Sequence, residues 1–239
     1  MYIFSPMNIR TLHKNIAKTA FSLANAVWYS QKSKYICRRA FDLATVAIVS
    51  PIAVPIIAVT ALSIKLCNGQ SPFFSQNRIG YNGQSFQIHK LKTYDDEGNL
   101  LKCAQIARRS KLDELPQLWN VVKGEMSLVG PRPHLPDEPI SHLPWRLQMM
   151  PGITGLGKIG GGNAIGHTEE AVFDRRYKKQ CDKAGLGRFI TMNAGLVIAT
   201  PLAIVKQRKN AVSYQDAGHG TELQFGQKNN RRQPKPSVV

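Results

Sequence analysis

An apolar run of 22 uncharged residues, LATVAIVSPIAVPIIAVTALSI, occupies positions 43–64 and sets the first limit on the fold. As a straight helix it would be about 33 Å long at 1.5 Å per residue, which is enough to cross the hydrocarbon core of a bilayer. Pro51 and Pro55 lie inside the run and each removes a backbone donor, so the carbonyls of Ala47 and Pro51 lose their helical partners. The run therefore predicts a kinked or broken membrane helix, in which the hydroxyl of Ser50 donates to a freed carbonyl.

Basic residues stand on both sides of this run. Arg38 and Arg39 precede it, and Lys65 follows it. Because short basic loops stay on the cytoplasmic side of a membrane, we expect both ends of the run to remain there. This favours a re-entrant hairpin over residues 37–66, which enters one leaflet and returns. A single span with a proline kink and a buried core helix stay open as alternatives.

The charge of the whole chain bears on its partners. Lys and Arg number 32 against 15 Asp and Glu, a formal net charge of +17. Such a chain binds polyanions, which include nucleic acid, an anionic membrane surface and a phosphorylated substrate. The apolar run argues against a nucleic-acid-binding protein, so we predict no nucleic-acid partner.

Three further segments complete the predicted organisation. Residues 1–36 mix basic and apolar side chains at helical spacing, which predicts an amphipathic helix that lies on lipid or packs on the domain as an ordinary surface helix. Residues 67–205 read as a compact mixed domain. Residues 206–239 are polar and basic, and we expect them to be disordered.

Inside the mixed domain, local patterns predict individual elements. SFQIHKLKT at 85–93 alternates like a strand, and GLVIATPLAIV at 195–205 predicts a second apolar helix at the membrane surface. LDELPQLWNVV at 112–122 predicts a helix that Gly124 closes. The apolar face of this helix is formed by Leu115, Leu118, Trp119 and Val122.

The adjacent acids Asp113 and Glu114 directly precede this helix, which starts around Leu115 and Pro116. Proline is tolerated in a first turn, so the acids lie at the positive end of the helix dipole, which lowers the pKa of both and keeps them ionised. An ionised aspartate can attack phosphorus, and a neighbouring carboxylate can hold the magnesium ion that neutralises a diphosphate. The alternative role for both residues is helix capping.

Two later segments suit a phosphate ligand. Arg132 stands between Pro131 and Pro133, a stiff and extended mount for a guanidinium, although a solvated turn arginine is the ordinary alternative. PGITGLGKIGGGNAIG at 151–166 holds seven glycines in 16 residues. A backbone whose amides approach a ligand closely needs such glycines, and a flexible loop is the alternative. Lys158 adds a cation to this segment.

Four blocks in order resemble the bacterial sugar transferases, the monotopic polyprenyl-phosphate phosphoglycosyl transferases. The blocks are FDLATVAIVSPIAVPIIAV, SPFFSQNRIGYNGQSFQIHKLKT, RRSKLDELPQLWNVVKGEMSLVGPRP and PGITGLGKIGG, and the resemblance covers about residues 36 to 180. It implies the short form of the family and an α+β fold: a mainly helical monotopic protein with a re-entrant helix broken at Ser50-Pro51 and a small mixed catalytic domain. It also implies a location on the cytoplasmic face of the inner membrane.

The resemblance further implies an activity and its residues. In the family, the aspartate that matches Asp113 attacks the β-phosphorus of a UDP-sugar, releases UMP and holds a covalent phosphosugar, which polyprenyl (undecaprenyl) phosphate then takes. This step initiates exopolysaccharide or other glycan synthesis, and Mg²⁺ assists at Asp113 and Glu114. Membrane lipids and a second copy or polysaccharide-assembly proteins are the further partners. The resemblance assigns substrate contacts to Lys90, Lys92, Arg132 and Asp174, and the membrane entrance to Arg38 and Arg39.

Departures from the family pattern motivate a second hypothesis. Lys90-Leu-Lys92-Thr-Tyr stands where the family has Lys-x-Arg-Thr-Met, and Lys111 stands where it has Ser. The family's Asn-Gly-Arg is here Gly160, Gly161 and Gly162, so a substrate-contacting arginine is missing. The second hypothesis is therefore a non-catalytic homologue that serves as a membrane scaffold or regulator of polysaccharide assembly.

Overall fold

A 60-residue helix, α1, runs from Ile9 to Asn68 and contains the whole apolar run. The structure, a computed structural model, describes the backbone of residues 9–160 and 166–216 and the side chains of residues 31–160 and 166–207. The amphipathic face predicted for residues 1–36 therefore lies outside the described side chains up to residue 30. Helix α1 also crosses the predicted segment boundaries at 36 and 66 without interruption.

Helix α1 stays unbroken at both prolines of the apolar run. Because the helix continues through Pro51, the predicted break at Ser50-Pro51, and with it the re-entrant hairpin over 37–66, is not confirmed. The Ser50 hydroxyl donates to the carbonyl of Val46 at 2.6 Å, and not to the carbonyl of Ala47 that Pro51 leaves without a donor. The predicted hydrogen bond from Ser50 to a freed carbonyl is wrong, because a helical serine reaches the carbonyl four residues before itself.

The apolar run of α1 faces away from the rest of the chain. Ile48, Ile52 and Leu62 are 77, 68 and 59% exposed, which contradicts the alternative of a buried core helix. Within residues 31–160 and 166–207, two helical segments are long and apolar enough to cross a membrane, Gln31–Asn68 with a mean hydropathy of 2.3 and Leu186–Gln207 with 1.6. The described part of the chain is therefore compatible with membrane association.

The chain after α1 forms a mixed unit of short elements. The described residues are therefore mostly helical with two small sheets, as the predicted α+β class requires. Two strands come first and pair in an antiparallel hairpin. The elements in chain order are β1 (Phe73–Ile79), β2 (Ser85–Leu91), α2 (Gln105–Ser110), α3 (Gln117–Lys123), β3 (Ser127–Val129), α4 (Pro144–Leu147), β4 (Gly152–Thr154), α5 (Leu156–Gly160), α6 (His167–Lys183) and α7 (Leu186–Asp216).

The strand predicted at 85–93 is confirmed as β2. Its alternation buries Phe86 and Ile88 in the core, where they pack with Val46 of α1 and Val121 of α3. Lys90 follows at the same spacing along the strand, so the pleat directs it to the same side of the hairpin. The hairpin thus connects the apolar core to the region where the predicted site residues lie.

Glycines make the parallel pair of β3 and β4 possible. A Cβ atom added at Gly130 would lie 2.1 Å from the carbonyl oxygen of Met150, and one added at Gly152 would lie 2.0 Å from the nitrogen of Gly130. A Cβ at Gly155 would lie 2.3 Å from the carbonyl oxygen of Gly130. The first glycines of the 151–166 segment are therefore required by close backbone packing, rather than by loop flexibility.

Helix α3 buries only part of the predicted face, in which Leu118 packs against the core. Asn120 and Val121 are fully buried, whereas Trp119 is 59% exposed and Val122 39% exposed. The side-chain amide of Asn120 donates to the backbone carbonyl of Gln87 at 2.6 Å, so a satisfied polar group takes a core position. The apolar pattern failed here because hydrogen bonding, and not hydrophobicity alone, decides which residues are inside.

Helix α7 continues past the predicted start of a disordered tail. It contains Pro201 and the apolar stretch at 195–205, and it ends at Asp216. The extension is reasonable because Lys206-Gln207-Arg208-Lys209 all have high helix propensity. Residues 217–239 lie outside the described residues.

Candidate active site

Asp113 and Glu114 lie in a 3-10 turn, Leu112–Glu114, between α2 and α3. Lys111 ends α2 in the left-handed conformation, with φ of +61°, and so turns the chain away from the helix axis. Neither acid caps a helix: α3 begins after Pro116, and no side-chain cap hydrogen bond forms at the start of the turn or of α3. The capping alternative is therefore wrong.

The carboxyl group of Asp113 is buried and has one unpartnered oxygen. The residue is 2% exposed, and its Oδ2 lies 3.5 Å from Nη1 of Arg108. Its Oδ1 has no hydrogen-bond partner among the described residues. Burial first, and then the charge of Glu114, raise the pKa of Asp113 against the lowering effect of Arg108. The predicted lowering of this pKa is wrong because desolvation outweighs the nearby cations.

The carboxylate of Glu114 lies between two lysines. Its Oε2 accepts a hydrogen bond from Nζ of Lys158 at 2.6 Å, and its Oε1 lies 3.7 Å from Nζ of Lys90. Burial alone would raise the pKa of Glu114, but the charges of Lys158 and Lys90 and the hydrogen bond outweigh it and lower the pKa to about 2. Glu114 is therefore ionised at neutral pH, as predicted.

An open cleft lies against Glu114. Burial outweighs the attraction of Glu114 and lowers the pKa of Lys90 to about 8. Cations around a partly desolvated cleft favour a phosphorylated ligand over a neutral one. The structure brings four of the predicted substrate residues to the wall of this cleft: Lys90, Arg132, Lys158 and Asp174.

Asp174 faces the cleft as a member of an ion pair. Its Oδ2 accepts from Nε of Arg146 at 2.9 Å, and both residues are buried. Nη2 of Arg146 donates to the backbone carbonyl of Arg132 at 2.6 Å. Asp174 and Arg146 therefore hold the Pro-Arg-Pro turn in place. This structural role accounts for the position of Asp174 in the cleft wall without a direct contact between Asp174 and the substrate.

Besides Arg108 beside Asp113, two further arginines at the site were missed by the sequence reasoning. Arg146 occurs inside the apolar stretch LPWRLQMM, and a lone arginine among apolar residues is a signal for a buried, paired cation. Arg78 lines the cleft from β1, where its Nη1 lies 3.4 Å from the carbonyl oxygen of Pro133. Arg78 continues the alternation of Phe74 and Gln76 along the strand, and this alternation is the sequence signal that places the three side chains on one face of β1.

Lys92 lies outside the cleft. Its Nζ pairs with Oδ1 of Asp96 and with Oε1 of Gln70, both at 2.6 Å, on the exposed side of the hairpin. The strand ends at Leu91, so the alternation that directs Lys90 to the cleft no longer applies. A substrate contact from Lys92 stays a prediction that this geometry does not favour.

Arg38 and Arg39 make contacts inside the protein. Nη2 of Arg38 donates to the hydroxyl of Tyr177 at 3.2 Å. Nη1 and Nη2 of Arg39 donate to the carbonyls of Val121 and Val122 at 2.7 and 3.2 Å, at the end of α3. The two arginines thus attach α1 to the mixed unit, and their predicted contact with lipid headgroups stays untested, as does that of Ser50 and Pro51.

Gly160, the first of the three glycines in place of the family's Asn-Gly-Arg, is the last residue of α5. A Cβ atom at Gly160 would lie 2.7 Å from Cζ of Phe173, so the asparagine of the family pattern would require that ring to move. Gly161 and Gly162, including the position of the missing arginine, lie outside the described residues. The departure at Gly160 therefore has a packing reason in Phe173.

The dyad offers donors that fit a magnesium ion. Magnesium in phosphoryl-transfer sites is held by one or two carboxylates, and substrate phosphates and waters complete its shell. The buried Oδ1 of Asp113, which has no hydrogen-bond partner among the described residues, is a donor of this kind, and Glu114 supplies the adjacent carboxylate. Magnesium binding remains a prediction.

Comparison with known proteins gives consistent matches. The profile described as bacterial sugar transferase matches residues 33–207. The chain is 38% identical over 160 residues to the uncharacterized sugar transferase EpsL of Bacillus subtilis (strain 168), covering 59% of this chain and 77% of that protein. It is 31% identical over 193 residues to the exopolysaccharide production protein ExoY of Sinorhizobium fredii (strain NBRC 101917 / NGR234), covering 67% and 85%.

A third relative carries a more specific name. The UDP-glucose:undecaprenyl-phosphate glucose-1-phosphate transferase of Caulobacter vibrioides is 35% identical over 157 residues, covering 58% of this chain and 59% of that protein. The matched region contains the dyad, the cleft and the apolar part of α1. The chain therefore belongs to the bacterial sugar transferase family.

Proposed function

We propose that this protein is a phosphoglycosyl transferase that moves a sugar 1-phosphate from a UDP-sugar to undecaprenyl phosphate. The observation that carries the proposal is the dyad. Asp113 is a buried carboxylate with one oxygen that lacks a partner in the described part of the chain, and the neighbouring Glu114 lines a cation-rich cleft. The name of the Caulobacter relative supports the two substrate classes. The product would initiate the synthesis of an exopolysaccharide or another glycan.

The donor diphosphate binds in the cleft, where cations face its oxygens. Lys90 and Arg132 line the cleft, and Lys90 with a pKa of about 8 is largely protonated at neutral pH. Lys158, now paired with Glu114, lies at the same wall. These three side chains neutralise the charge that would otherwise keep the diphosphate away from the carboxylates.

The first chemical step is attack of an Asp113 carboxylate oxygen on the β-phosphorus. A new O–P bond forms to Asp113 as the bond between the β-phosphorus and the bridging oxygen breaks, and UMP leaves with that oxygen. The raised pKa of Asp113 makes its ionised form a more basic nucleophile than an ordinary aspartate. The product of this step is an aspartyl phosphosugar.

In the second step a phosphate oxygen of undecaprenyl phosphate attacks the same phosphorus. The bond to Asp113 breaks, the carboxylate is regenerated, and the lipid leaves as a diphosphate-linked sugar. A magnesium ion bound at Asp113 and Glu114 would supply charge neutralisation for the diphosphate. The carboxylate of Glu114 is ionised because of its lysine neighbours, so it would hold such a cation next to Asp113.

The test is release of UMP from a panel of UDP-sugars by detergent-purified protein. We expect release beyond one UMP per protein to require both undecaprenyl phosphate and magnesium, to be lost after the metal is removed with EDTA, and to return on addition of Mg²⁺. The panel, with glucose, galactose and N-acetylated sugars, also names the donor. Silence across the panel from folded protein would favour the non-catalytic scaffold, which the missing arginine at Gly162 motivates.

We also propose that the apolar run of α1 enters the inner membrane from the cytoplasmic side and returns. The exposed apolar side chains of α1 and the location of UDP-sugars in the cytosol support this proposal. Cys67 is exposed at the far end of the run, so it reports the side on which the run ends.

The test uses a variant in which the other three cysteines are serine. In spheroplasts, a membrane-impermeant maleimide should label Cys67 only after the membrane is opened. Labelling of Cys67 in intact spheroplasts would show that α1 crosses the membrane as a single span.

Replacing Lys158 with methionine should make the low-pH limb of UMP release steeper. In the unchanged protein the raised pKa of Asp113 sets this limb, because Lys158 and Lys90 lower the pKa of Glu114 to about 2. An opposite charge at this distance changes a carboxylate pKa by about 1–3 units, so without Lys158 the carboxylate of Glu114 protonates at higher pH, closer to the pKa of Asp113. The pH profile of UMP release measures the change.

The control is Lys178→Met, which breaks an exposed pair with Asp182 at 2.7 Å. Its pH profile should match that of the unchanged protein. An identical low-pH limb in Lys158→Met would show that ionisation of Glu114 does not govern the reaction.

A further inference from the structure

Outside the dyad, a second group of titratable side chains gathers on the loop that follows the Pro-Arg-Pro turn. His134 and Glu138 lie on this loop, and His167 is the first residue of α6. One ligand atom from each of the three residues can be chosen so that all lie within 4.8 Å of one another. None of the three is used in the proposed transfer reaction.

Two imidazoles and one carboxylate form a ligand set that binds zinc rather than magnesium. Zinc takes nitrogen ligands at about 2.0–2.1 Å and carboxylate oxygens at about 2.0–2.2 Å, whereas magnesium prefers oxygen ligands and keeps several waters. Tetrahedral bonds of that length place ligand atoms about 3.4 Å apart. The atoms that are farther apart than this must therefore approach, whereas Nδ1 of His134 and Oε2 of Glu138, which are now hydrogen-bonded, must move apart to admit the ion. His167 is exposed and Glu138 is half-buried, so both side chains have room to do this.

The fixed member of the group is His134, which is 3% exposed. Its Nδ1 faces Oε2 of Glu138, and its Nε2 lies 3.1 Å from Oε1 of Glu170. A histidine that binds a metal through one nitrogen almost always donates the other N–H to a carboxylate or carbonyl, which fixes the ring. Glu170 is in the position of that second carboxylate, and its Oε1 lies 3.8 Å from Nη2 of Arg146.

We propose that His134, Glu138 and His167 bind one Zn²⁺ ion, with Glu170 as the carboxylate that orients His134. The site is separate from the dyad. It ties the loop after Pro133 to the first turn of α6. Because Glu170 also lines the cleft, the ion would fix the loop on the side where Arg132 enters the cleft.

The experiment is a zinc titration of the full chain, purified in detergent without a polyhistidine tag and stripped with a chelator. In competition with a chromophoric zinc chelator, we expect one Zn²⁺ per chain with a Kd below about 1 µM. His167→Ala and Glu138→Gln should weaken binding by about 100-fold or more, and Glu170→Gln by about 10- to 100-fold. X-ray absorption should show two imidazoles at about 2.0 Å.

Two matched variants distinguish the site from other metal ligands. His142→Ala removes another exposed histidine of the same region and should leave the zinc affinity unchanged. Asp113→Asn should also bind zinc as the unchanged protein does, whereas loss of binding there would assign the ion to the dyad. Absence of a stoichiometric zinc ion, or unchanged affinity in His167→Ala, would overturn the proposal. Because the readout is binding, it stands or fails independently of transferase activity.

Discussion

Asp113→Asn should reduce undecaprenyl-phosphate-dependent UMP release by about 10³-fold or more. The substitution keeps the shape of the side chain but removes the carboxylate that forms the bond to phosphorus, and loss of a nucleophile costs factors of this order or larger. The residue is buried and paired only weakly, with Arg108 at 3.5 Å, so the amide should be accepted without unfolding. Initial rates of UMP release measure the effect.

The intermediate provides a second and more direct measurement. Protein incubated with donor and no acceptor lipid should gain the mass of one phosphosugar, as read by intact-mass spectrometry, and Asp113→Asn should gain none. Asp95→Asn is the matched control, because Asp95 is an exposed carboxylate that accepts from the backbone of Asn99. An adduct that persists in Asp113→Asn would show that another residue is the nucleophile.

Arg146→Met should lower the free energy of unfolding by about 3 kcal/mol, because it leaves the buried carboxylate of Asp174 without its cation. The two side chains are 6% and 5% exposed and lie 2.9 Å apart, so water replaces little of the lost contact. The carbonyl of Arg132 loses its donor as well. For a chain of this size, the expected decrease in Tm is about 6–12 °C, measured by thermal unfolding in detergent.

The pH dependence of this loss has a definite sign. Burial already raises the pKa of Asp174 above its usual value, against the lowering effect of Arg146. Without Arg146 that pKa rises further, and a group with a raised pKa in the folded state destabilises it as pH rises through that pKa. The deficit of Arg146→Met should therefore be largest at neutral pH and smaller in acid.

Two further variants test the assignment. Asp174→Asn in the Arg146→Met background should recover part of the loss, because an uncharged amide costs less to bury than an unpaired carboxylate. Arg176→Met, on the exposed side of α6, should change the Tm by no more than about 2 °C. Equal effects of Arg146→Met and Arg176→Met would contradict the role of the buried pair.

Patterns within short stretches of sequence predicted those elements that depend mainly on interactions between neighbouring residues. Alternation along 85–93 gave β2, and Gly124 ends α3 in the left-handed conformation with φ of +83°. The buried face of α3 was not predictable in this way, because Asn120 is held inside by a carbonyl of a strand 33 residues earlier in the chain. Such a pairing exists only after the hairpin and the helix have packed.

The candidate site shows the same division. The adjacent pair Asp113-Glu114 is visible in the sequence, but the pKa values of its two members move in opposite directions. The difference arises because Lys158, 44 residues later in the chain, reaches Glu114 and not Asp113. Spacing along the sequence contains no information on that choice, whereas the family resemblance correctly directed attention to the segments that meet there.

The tight contact of β3 and β4 determines how mutational scans of this protein should be interpreted. At Gly130, Gly152 and Gly155 any side chain, alanine included, would place its first carbon within 2.3 Å of backbone atoms. Inactive variants at these three positions would therefore reflect a chain that cannot close its sheet, even though all three glycines line the cleft. In a mutant library that ranks positions by lost activity, these three glycines would rank together with the nucleophile Asp113. Only a measurement of protein abundance would separate positions needed for folding from positions needed for the reaction.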